Sequence, residues 1–369
     1  MVIKEYPVSV PASFLEKADL PPESCLFFDI ETTGLSWRQS HLYLLGVIFY
    51  TSDGWIQKQW FCQRPKEERE VLEAFSRLVS SKKILIHFNG NTFDVPYLMH
   101  KYTLYQMEQP WEHTSHLDLY KKMLPWKKVL GLEHMRQKDL EAYMGINRED
   151  LFSGEELIQL YQDYLNTGDE HLLSVLLLHN KEDVAGLAEL LPLLELSRFL
   201  GGEVDKEVAG EFLEEDHTLI LRVSQPLSLP LELSCETPEY QLSIHQGRIT
   251  LRIPVYSGTL KFFFTDYKNY YYLPLEDKAI HKSVGAFVDK EHREKAKASN
   301  CYQKQSGCFL PQYSDFSTPV FRLEYKDSHT WFLFDKELLS QSDWCKNYCS
   351  HLLSHLCKEL SSGKKTVAP

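Results

Sequence analysis

Two acidic residues follow a run of apolar residues near the start of the chain, and their spacing suits metal-dependent chemistry. Asp29 and Glu31 lie within LFFDIETTGL, residues 26–35. The apolar run predicts a buried strand, and residues two apart on a strand point to the same face. Carboxylates placed there repel each other and lose hydration, so a cation or a proton normally offsets the cost. The alternative is a polar strand end that reaches solvent.

Three further polar residues lie on two predicted helices, one at a helix start and two within a helix. Asp94 opens a helix after the turn in HFNGNTFDVPYL. It is either a helix N-cap or a residue at the carboxyl edge of the sheet, beside Asp29 and Glu31. His179 and Asp183 are four apart on an apolar helix and therefore share one face. They form either a hydrogen-bonded pair in the core or part of the same site.

The elements around these residues predict an α/β domain. The first strand precedes two strands within residues 41–62, joined by a turn at Ser52-Asp53-Gly54. A helix in KEEREVLEAFSRLVSS and a strand in KKILIHFNG follow, and this succession places the new strand parallel to the first. Helical patterns then continue to about Phe199. Residues 1–200 are thus predicted as one domain with a mixed sheet flanked by helices, with residues 1–24 as a polar lead-in.

The second half of the chain has a different character. Short strand-like runs separated by turns follow Gly201-Gly202 and predict a β-rich domain over residues 201–369. A brief helix is expected from Asp277 to Val288, a last helix from about Lys336 to Leu360, and a disordered tail over SSGKKTVAP.

Four cysteines of this half have two interpretations. They are buried thiols of the core, or together they hold zinc or an iron–sulfur cluster, although their spacings are not standard for either group. They are Cys301, Cys308, Cys345 and Cys349.

Charge and hydropathy limit the classes of partner. The net charge of −12 gives no global basic field, so a nucleic acid must be met by local patches. The densest basic stretch surrounds Trp126, Lys127 and Lys128, which form either a solvated face or a place where lysines meet phosphates and an aromatic ring stacks on a base.

No apolar run approaches the length of a membrane span, and the N-terminus lacks the apolar core of a signal peptide, so we expect a cytoplasmic location.

Taken together, the motifs resemble the DEDD exonuclease superfamily, the DnaQ-like group with a ribonuclease H-like fold, and in particular the YprB-type ribonuclease H-like domain. The resemblance covers roughly residues 24–195. The matching blocks, in order, are DIETTGL at 29–35, HFNGNTFDVPYL at 87–98, HLDLY at 116–120, REDLFSGEE at 148–156 and HNKEDVAGL at 179–187. The histidine branch of the superfamily usually has four residues between its His and the last Asp; this chain has three, as the YprB-type domain does.

The resemblance implies a role for each acid. Two divalent ions, Mg²⁺ or Mn²⁺, would activate water and clamp the phosphate. Asp29 would bridge both ions, Glu31 and Asp183 would serve the ion that activates water, and Asp94 would hold the other. His179 would take the proton of the water as general base.

Further residues are expected near the substrate. Asn89 would orient Asp94 or touch the nucleic acid, and Thr32 is placed with the substrate-binding residues, as are Trp126, Lys127 and Lys128. Asp118 also belongs to the family pattern and is interpreted as structural, or as a residue that supports the metal ligands without touching the ions.

Two functions follow from these residues. The first is a metal-dependent exonuclease that hydrolyses DNA or RNA from the 3′ end and acts on single-stranded ends. The alternative is a non-catalytic nucleic-acid-binding module on the same fold, which the intact set of four acids disfavours.

Overall fold

The computed structural model describes residues 1–17, 20–229, 232–314 and 316–361. It divides the chain into two compact units, Met1–Ser197 and Arg198–Pro369. The tail predicted over SSGKKTVAP lies, after Ser361, outside the described residues.

The first unit is built on a six-stranded mixed sheet with the strand order β1-β4-β3-β2-β5-β6. Its strands are β1 Val2–Pro7, β2 Cys25–Thr32, β3 Leu42–Thr51, β4 Gly54–Phe61, β5 Ile84–His87 and β6 Ser115–Asp118. Strand β2 pairs antiparallel with β3 and parallel with β5, as the strand–helix–strand succession predicts.

Helices cover both faces of this sheet. They are α1 Ala12–Lys17, α2 Glu68–Val79, α3 Asp94–Leu104, α4 Leu119–Met123, α5 Gln137–Tyr143, α6 Gly154–Thr167, α7 Glu170–Glu189 and α8 Leu193–Leu200. Residues of α2 and α3 pack with Leu26, Phe28 and Ile30 in one apolar cluster. Residues of α6 and α7 pack with Tyr43 and Phe61 in another. Strand β2 therefore lies inside the sheet, between β3 and β5. The carboxyl ends of the parallel strands β2, β5 and β6 lie at one edge of the sheet.

The predicted polar lead-in at residues 1–24 is wrong in its first part. Residues Val2–Pro7 form β1, which pairs antiparallel with β4 from Val2 opposite Phe61 to Pro7 opposite Ile56. A mostly polar edge strand carries little hydrophobic pattern, because its stability comes from ladder hydrogen bonds to a partner that is distant in sequence.

The second unit is rich in β structure, and the predicted fold class is confirmed. Five strands form an antiparallel sheet, four form a closed barrel and three form a small sheet, in the orders β7-β8-β11-β10-β9, β12-β16-β18-β17 and β14-β13-β15. In chain order they are β7 Val208–Leu213, β8 Thr218–Val223, β9 Leu233–Glu236, β10 Gln241–His245, β11 Arg248–Pro254, β12 Tyr256–Phe263, β13 Tyr270–Leu273, β14 Lys278–His281, β15 Glu294–Lys295, β16 Tyr302–Gln312, β17 Phe321–Arg322 and β18 Thr330–Leu333.

In the described part of this unit, two further α-helices follow α8: α9 Lys282–Gly285 and α10 Ser342–Ser361. The single helix expected from Asp277 to Val288 is wrong, because its first part pairs with β13 as strand β14 and only one helical turn follows. The last predicted helix begins as a separate 3₁₀ turn at Lys336–Ser340 and continues as α10.

Cys301, Cys308, Cys345 and Cys349 are free thiols. Among the described residues, a group of three or more metal-ligating side chains occurs only in the first unit. Cys301, Cys345 and Cys349 are buried, which fits the interpretation of core thiols.

Candidate active site

Strand β2 brings two of the predicted acids to one edge of the sheet. Its side chains are buried except at Asp29 and Glu31, which are partly exposed on the face toward α7. Asp94, at the start of α3, is 8% exposed, and its carboxylate accepts a hydrogen bond from the backbone N–H of Ile30, between the two acids of β2. The interpretation of Asp94 as a residue of the sheet edge is therefore the one that agrees with the structure.

Helix α7 supplies the remaining two polar side chains. Nε2 of His179 lies 3.0 Å from Oδ2 of Asp183 and 3.4 Å from Oε1 of Glu31. One ligand atom from each of these three residues lies within 4.8 Å of the others, close enough to hold one metal ion. The one-turn spacing on α7 thus places both side chains against β2.

Three of the four acids of this site are destabilised in their ionised form. Burial, followed by repulsion from Asp183, Glu31 and Asp94, raises the pKa of Asp29 well above its ordinary value. Burial also raises the pKa of Glu31 to about 8 and that of Asp94 to about 7. Oxygen donors in this state are suited to a hard divalent cation, which would replace the protons.

The two polar residues of α7 have pKa shifts that favour their charged forms, in contrast to Asp29, Glu31 and Asp94. Burial alone would lower the pKa of His179, but the hydrogen bond to Asp183 and the charges of Glu31 and Asp150 raise it to about 9. Asp183 is buried, yet His179 and Arg148 lower its pKa below the ordinary value. The imidazole is therefore held by the acids around it.

The loop between α5 and α6 adds two residues to which the sequence assigns no role. Asp150 accepts a hydrogen bond of 2.7 Å from Nδ1 of His179, and Arg148 forms ion pairs with Asp183 and with Glu141. Both lie in REDLFSGEE, one of the blocks that carry the family resemblance, and this was the indication in the sequence that they belong near the site. Asp150 is 29 residues from His179 and Arg148 is 35 residues from Asp183, so no local spacing rule indicates that they are in contact.

Asn180 fixes Asp29 against the sheet. Its side-chain amide donates to Oδ2 of Asp29 at 3.0 Å, and its oxygen accepts from Gln59 at 2.9 Å. Asn180 is fully buried, so its polar atoms depend on these two partners.

Asp118 has the structural role expected of it. It caps α4 and accepts the backbone N–H of Asn89 at 2.9 Å. Asn89 has a φ of 57°, a left-handed conformation that few residues other than glycine adopt without support. Asp118 therefore supports the turn that contains Asn89.

A cleft of about 560 Å³ lies beside this turn. It is lined by aromatic, polar and basic side chains: Phe88, Asn89, Tyr120, Leu124, Lys127, His134, Met135, Arg136 and Gln137. Gln137 also donates to the backbone carbonyl of Asp183 at 2.7 Å, so the cleft adjoins the acids.

The predicted substrate-binding residues divide into three groups. Asn89 and Lys127 line the cleft, and Lys128 is exposed. Thr32 is 9% exposed and donates its hydroxyl to the carbonyl of Gly34, so it supports the turn after β2. The stacking role expected of Trp126 is wrong, because the ring is 5% exposed and its N–H donates to Ser197.

Comparisons with known proteins agree with the fold of the first unit. Residues 26–195 match the family model RNase_H_2 of the RNase H superfamily, which confirms the resemblance to ribonuclease H-like proteins over these residues. No curated protein matches the chain.

Several solved structures are similar to the chain at low identity. A family B DNA polymerase from the archaeon Pyrobaculum calidifontis has 18% identity and a TM-score of 0.39, covering 68% of this chain and 35% of its own. A structure of exonuclease I has 15% identity and a TM-score of 0.34, covering 54% of this chain and 55% of its own. Escherichia coli exonuclease I in complex with a dT13 oligonucleotide has 14% identity and a TM-score of 0.34, with the same coverage. This chain thus spans about a third to just over half the length of these proteins.

No described helix combines the length and the apolar character that a membrane span requires.

Proposed function

We propose that the first unit is a metal-dependent exonuclease that hydrolyses phosphodiester bonds of DNA or RNA from the 3′ end. The observation that carries the proposal is the convergence of Asp29, Glu31, Asp94 and Asp183 at one sheet edge, where burial and mutual repulsion raise the pKa of three of the four. Acids in this condition are unfavourable for stability, which suggests that they are retained for binding a cation.

Glu31, His179 and Asp183 each offer a ligand atom within reach of a single ion, and we propose that Asp29 and Asp94 complete the sites of two divalent ions such as Mg²⁺ or Mn²⁺. Asp29 would contribute to both, Glu31 and Asp183 would hold one, and Asp94 would hold the other. Bound ions supply positive charge that stabilises the phosphate and lowers the pKa of water.

His179 is the group that moves a proton in this proposal. Its pKa is raised by Asp183 and Glu31, so it returns toward its ordinary value when the charges of those carboxylates are offset. Nε2 of the neutral ring can then accept a proton from water, while Nδ1 stays bonded to Asp150.

The cleft beside Asn89 is proposed to hold the nucleic acid. Lys127 and Arg136 offer positive charge to phosphates, and Phe88 and Tyr120 offer ring faces to bases. A chain with a net charge of −12 needs such a local surface to meet a polyanion.

The proposal is tested with purified wild-type protein and Asp29→Asn on single-stranded DNA and RNA. Substrates labelled at the 5′ end or at the 3′ end, with Mg²⁺ or Mn²⁺, separate the polarity of hydrolysis from its presence. We expect shortening from the 3′ end and a loss of at least about 100-fold in Asp29→Asn.

Asp53→Asn is the matched control, because Asp53 is an exposed residue of the β3–β4 turn. Equal hydrolysis by wild type and Asp29→Asn would rule out this site. Tight binding of nucleic acid without hydrolysis in either metal would support the non-catalytic binding module instead.

A further inference from the structure

Asp150, on the loop between α5 and α6, contacts His179 and is not one of the four acids. Oδ2 of Asp150 is 2.7 Å from Nδ1 of His179, and Asp150 is 5% exposed. An ionised carboxylate only accepts hydrogen bonds, so Nδ1 must carry the proton of the ring. The other nitrogen, Nε2, then faces Asp183 and Glu31.

Three contacts hold Asp150, and a fourth holds its neighbour Glu149. Lys138 donates to its Oδ2 at 2.9 Å, and the backbone N–H of Phe152 donates to its Oδ1 at 3.1 Å. The backbone N–H groups of Glu149 and Asp150 both donate to the carboxylate of Glu182 on α7, each at 2.9 Å. The loop is thereby bound to the helix that carries His179, and the carboxylate has little freedom to move.

We propose that Asp150 is a positioning residue, which fixes His179 with Nδ1 protonated and Nε2 turned toward the reacting water. This inference rests on the proposed hydrolysis. In the step concerned, a water proton passes to Nε2, the water oxygen bonds to phosphorus, and the bridging oxygen leaves with its electron pair. The imidazolium formed lies against the charge of Asp150, which stabilises it.

A carboxylate in this position also selects the tautomer. With an amide in its place, the side chain can present N–H to Nδ1, and the proton of the neutral ring moves to Nε2, where it blocks acceptance from water. Asp150→Asn changes this property and leaves size and shape nearly constant.

The test combines NMR of the histidine ring with kinetics of the full chain. In metal-free protein labelled with ¹⁵N-histidine, at a pH above the His179 pKa of about 9 so that the ring is neutral, we expect a downfield Nδ1–H resonance that disappears in His179→Gln and is lost or shifted upfield in Asp150→Asn. With end-labelled single-stranded substrate, we expect kcat of Asp150→Asn to fall about 10²- to 10⁴-fold, the range of general acid–base catalysis, with KM within about threefold. Asp53→Asn should match wild type in both measurements.

Three results would overturn the inference. The first is a wild-type ring without a proton on Nδ1, which can be observed without any variant. The second is a kcat of Asp150→Asn within threefold of wild type. The third is a loss of activity in Asp150→Asn through KM alone. A wild-type protein that hydrolyses no substrate overturns the proposed function and the role of Asp150 with it. Active wild type with fully active Asp150→Asn overturns only the inference.

Discussion

The side chain of Asn180 donates to Oδ2 of Asp29 at 3.0 Å and links α7 to β2 directly at the acids. The contact requires the helix to approach the sheet closely. Gly46 on β3, opposite Asp29, provides the space, because a Cβ there would lie 2.2 Å from the Asn180 side-chain oxygen and 2.8 Å from a methyl of Val184.

Gly46→Ala should therefore destabilise the protein and impair the site. Overpacking of a buried contact typically costs about 1–3 kcal/mol, and the shift of α7 would move His179 and Asp183 away from β2. Urea denaturation measures the first effect and hydrolysis of a labelled strand the second.

The control for this substitution is Gly154→Ala at the exposed start of α6, where an added Cβ has nothing within 4 Å. Its stability should stay within about 0.5 kcal/mol of wild type. Gly46→Ala with unchanged stability and hydrolysis would contradict the close approach of α7.

A buried ion pair supports the segment between β2 and β3. The Glu68 carboxylate is fully buried and accepts from Lys101, from the hydroxyl of Tyr105 and from the backbone N–H of Leu42. Lys101 also donates to the carbonyl of Ser40 at 2.6 Å. Lys101→Met leaves a buried charge without its partner and should lower the free energy of unfolding by about 3–5 kcal/mol.

The double variant Lys101→Met with Glu68→Gln should recover part of that loss, since it removes the unpaired charge. Arg69→Met, which breaks an exposed pair with Glu73, should change stability by only about 0.5 kcal/mol. Equal effects of Lys101→Met and Arg69→Met in urea denaturation would mean that the buried pair is not a stabilising element.

The contribution of Glu31 and Asp94 to the stability of the metal-free protein should fall as the pH rises from about 5 to 8. The pKa of Glu31 is about 8 against 4.5 for an ordinary glutamate, and that of Asp94 is about 7 against 3.8. These two carboxyl groups therefore bind more protons in the folded chain than in the unfolded chain in this window, and their contribution to stability decreases with pH. His179 acts in the same direction, whereas Asp183 titrates below the window.

Urea denaturation in EDTA at pH 5.5 and 8, with wild type and Glu31→Gln, isolates this contribution. The decrease should be smaller in Glu31→Gln, because that variant removes one of the titrating groups. Added Mn²⁺ should raise the Tm more at pH 8 than at pH 5.5, since binding displaces protons. A decrease of the same size in both proteins would contradict the raised pKa of Glu31.

The cleft predicts an effect on substrate binding. Tyr120 packs edge-on against Phe88 with ring centroids 5.6 Å apart, and both residues line the cleft. Loss of one stacked base costs about 1–3 kcal/mol, so Tyr120→Ala should raise KM for a single strand roughly tenfold at similar kcat. Trp126→Phe should leave KM unchanged, because that ring is buried. An unchanged KM in Tyr120→Ala would exclude the cleft as the path of the strand.

Much of the site was accessible from sequence because its spacing rules are local. Residues two apart on a strand share a face, which predicts the common orientation of Asp29 and Glu31. Residues four apart on a helix do the same for His179 and Asp183. Parallel pairing of β5 with β2 then brings Asp94 to the same edge.

Tertiary structure decided which neighbours those residues have. The chain returns at residues 146–152 to place Asp150 against His179 and Arg148 against Asp183. It also buries Trp126, which its basic surroundings suggested was exposed. Such contacts depend on packing between segments far apart in sequence, and no local periodicity encodes them. Local sequence patterns thus predict which acids form the site, which face of a strand or helix each occupies, and the α/β order of elements. Only the folded chain shows which residues orient those acids.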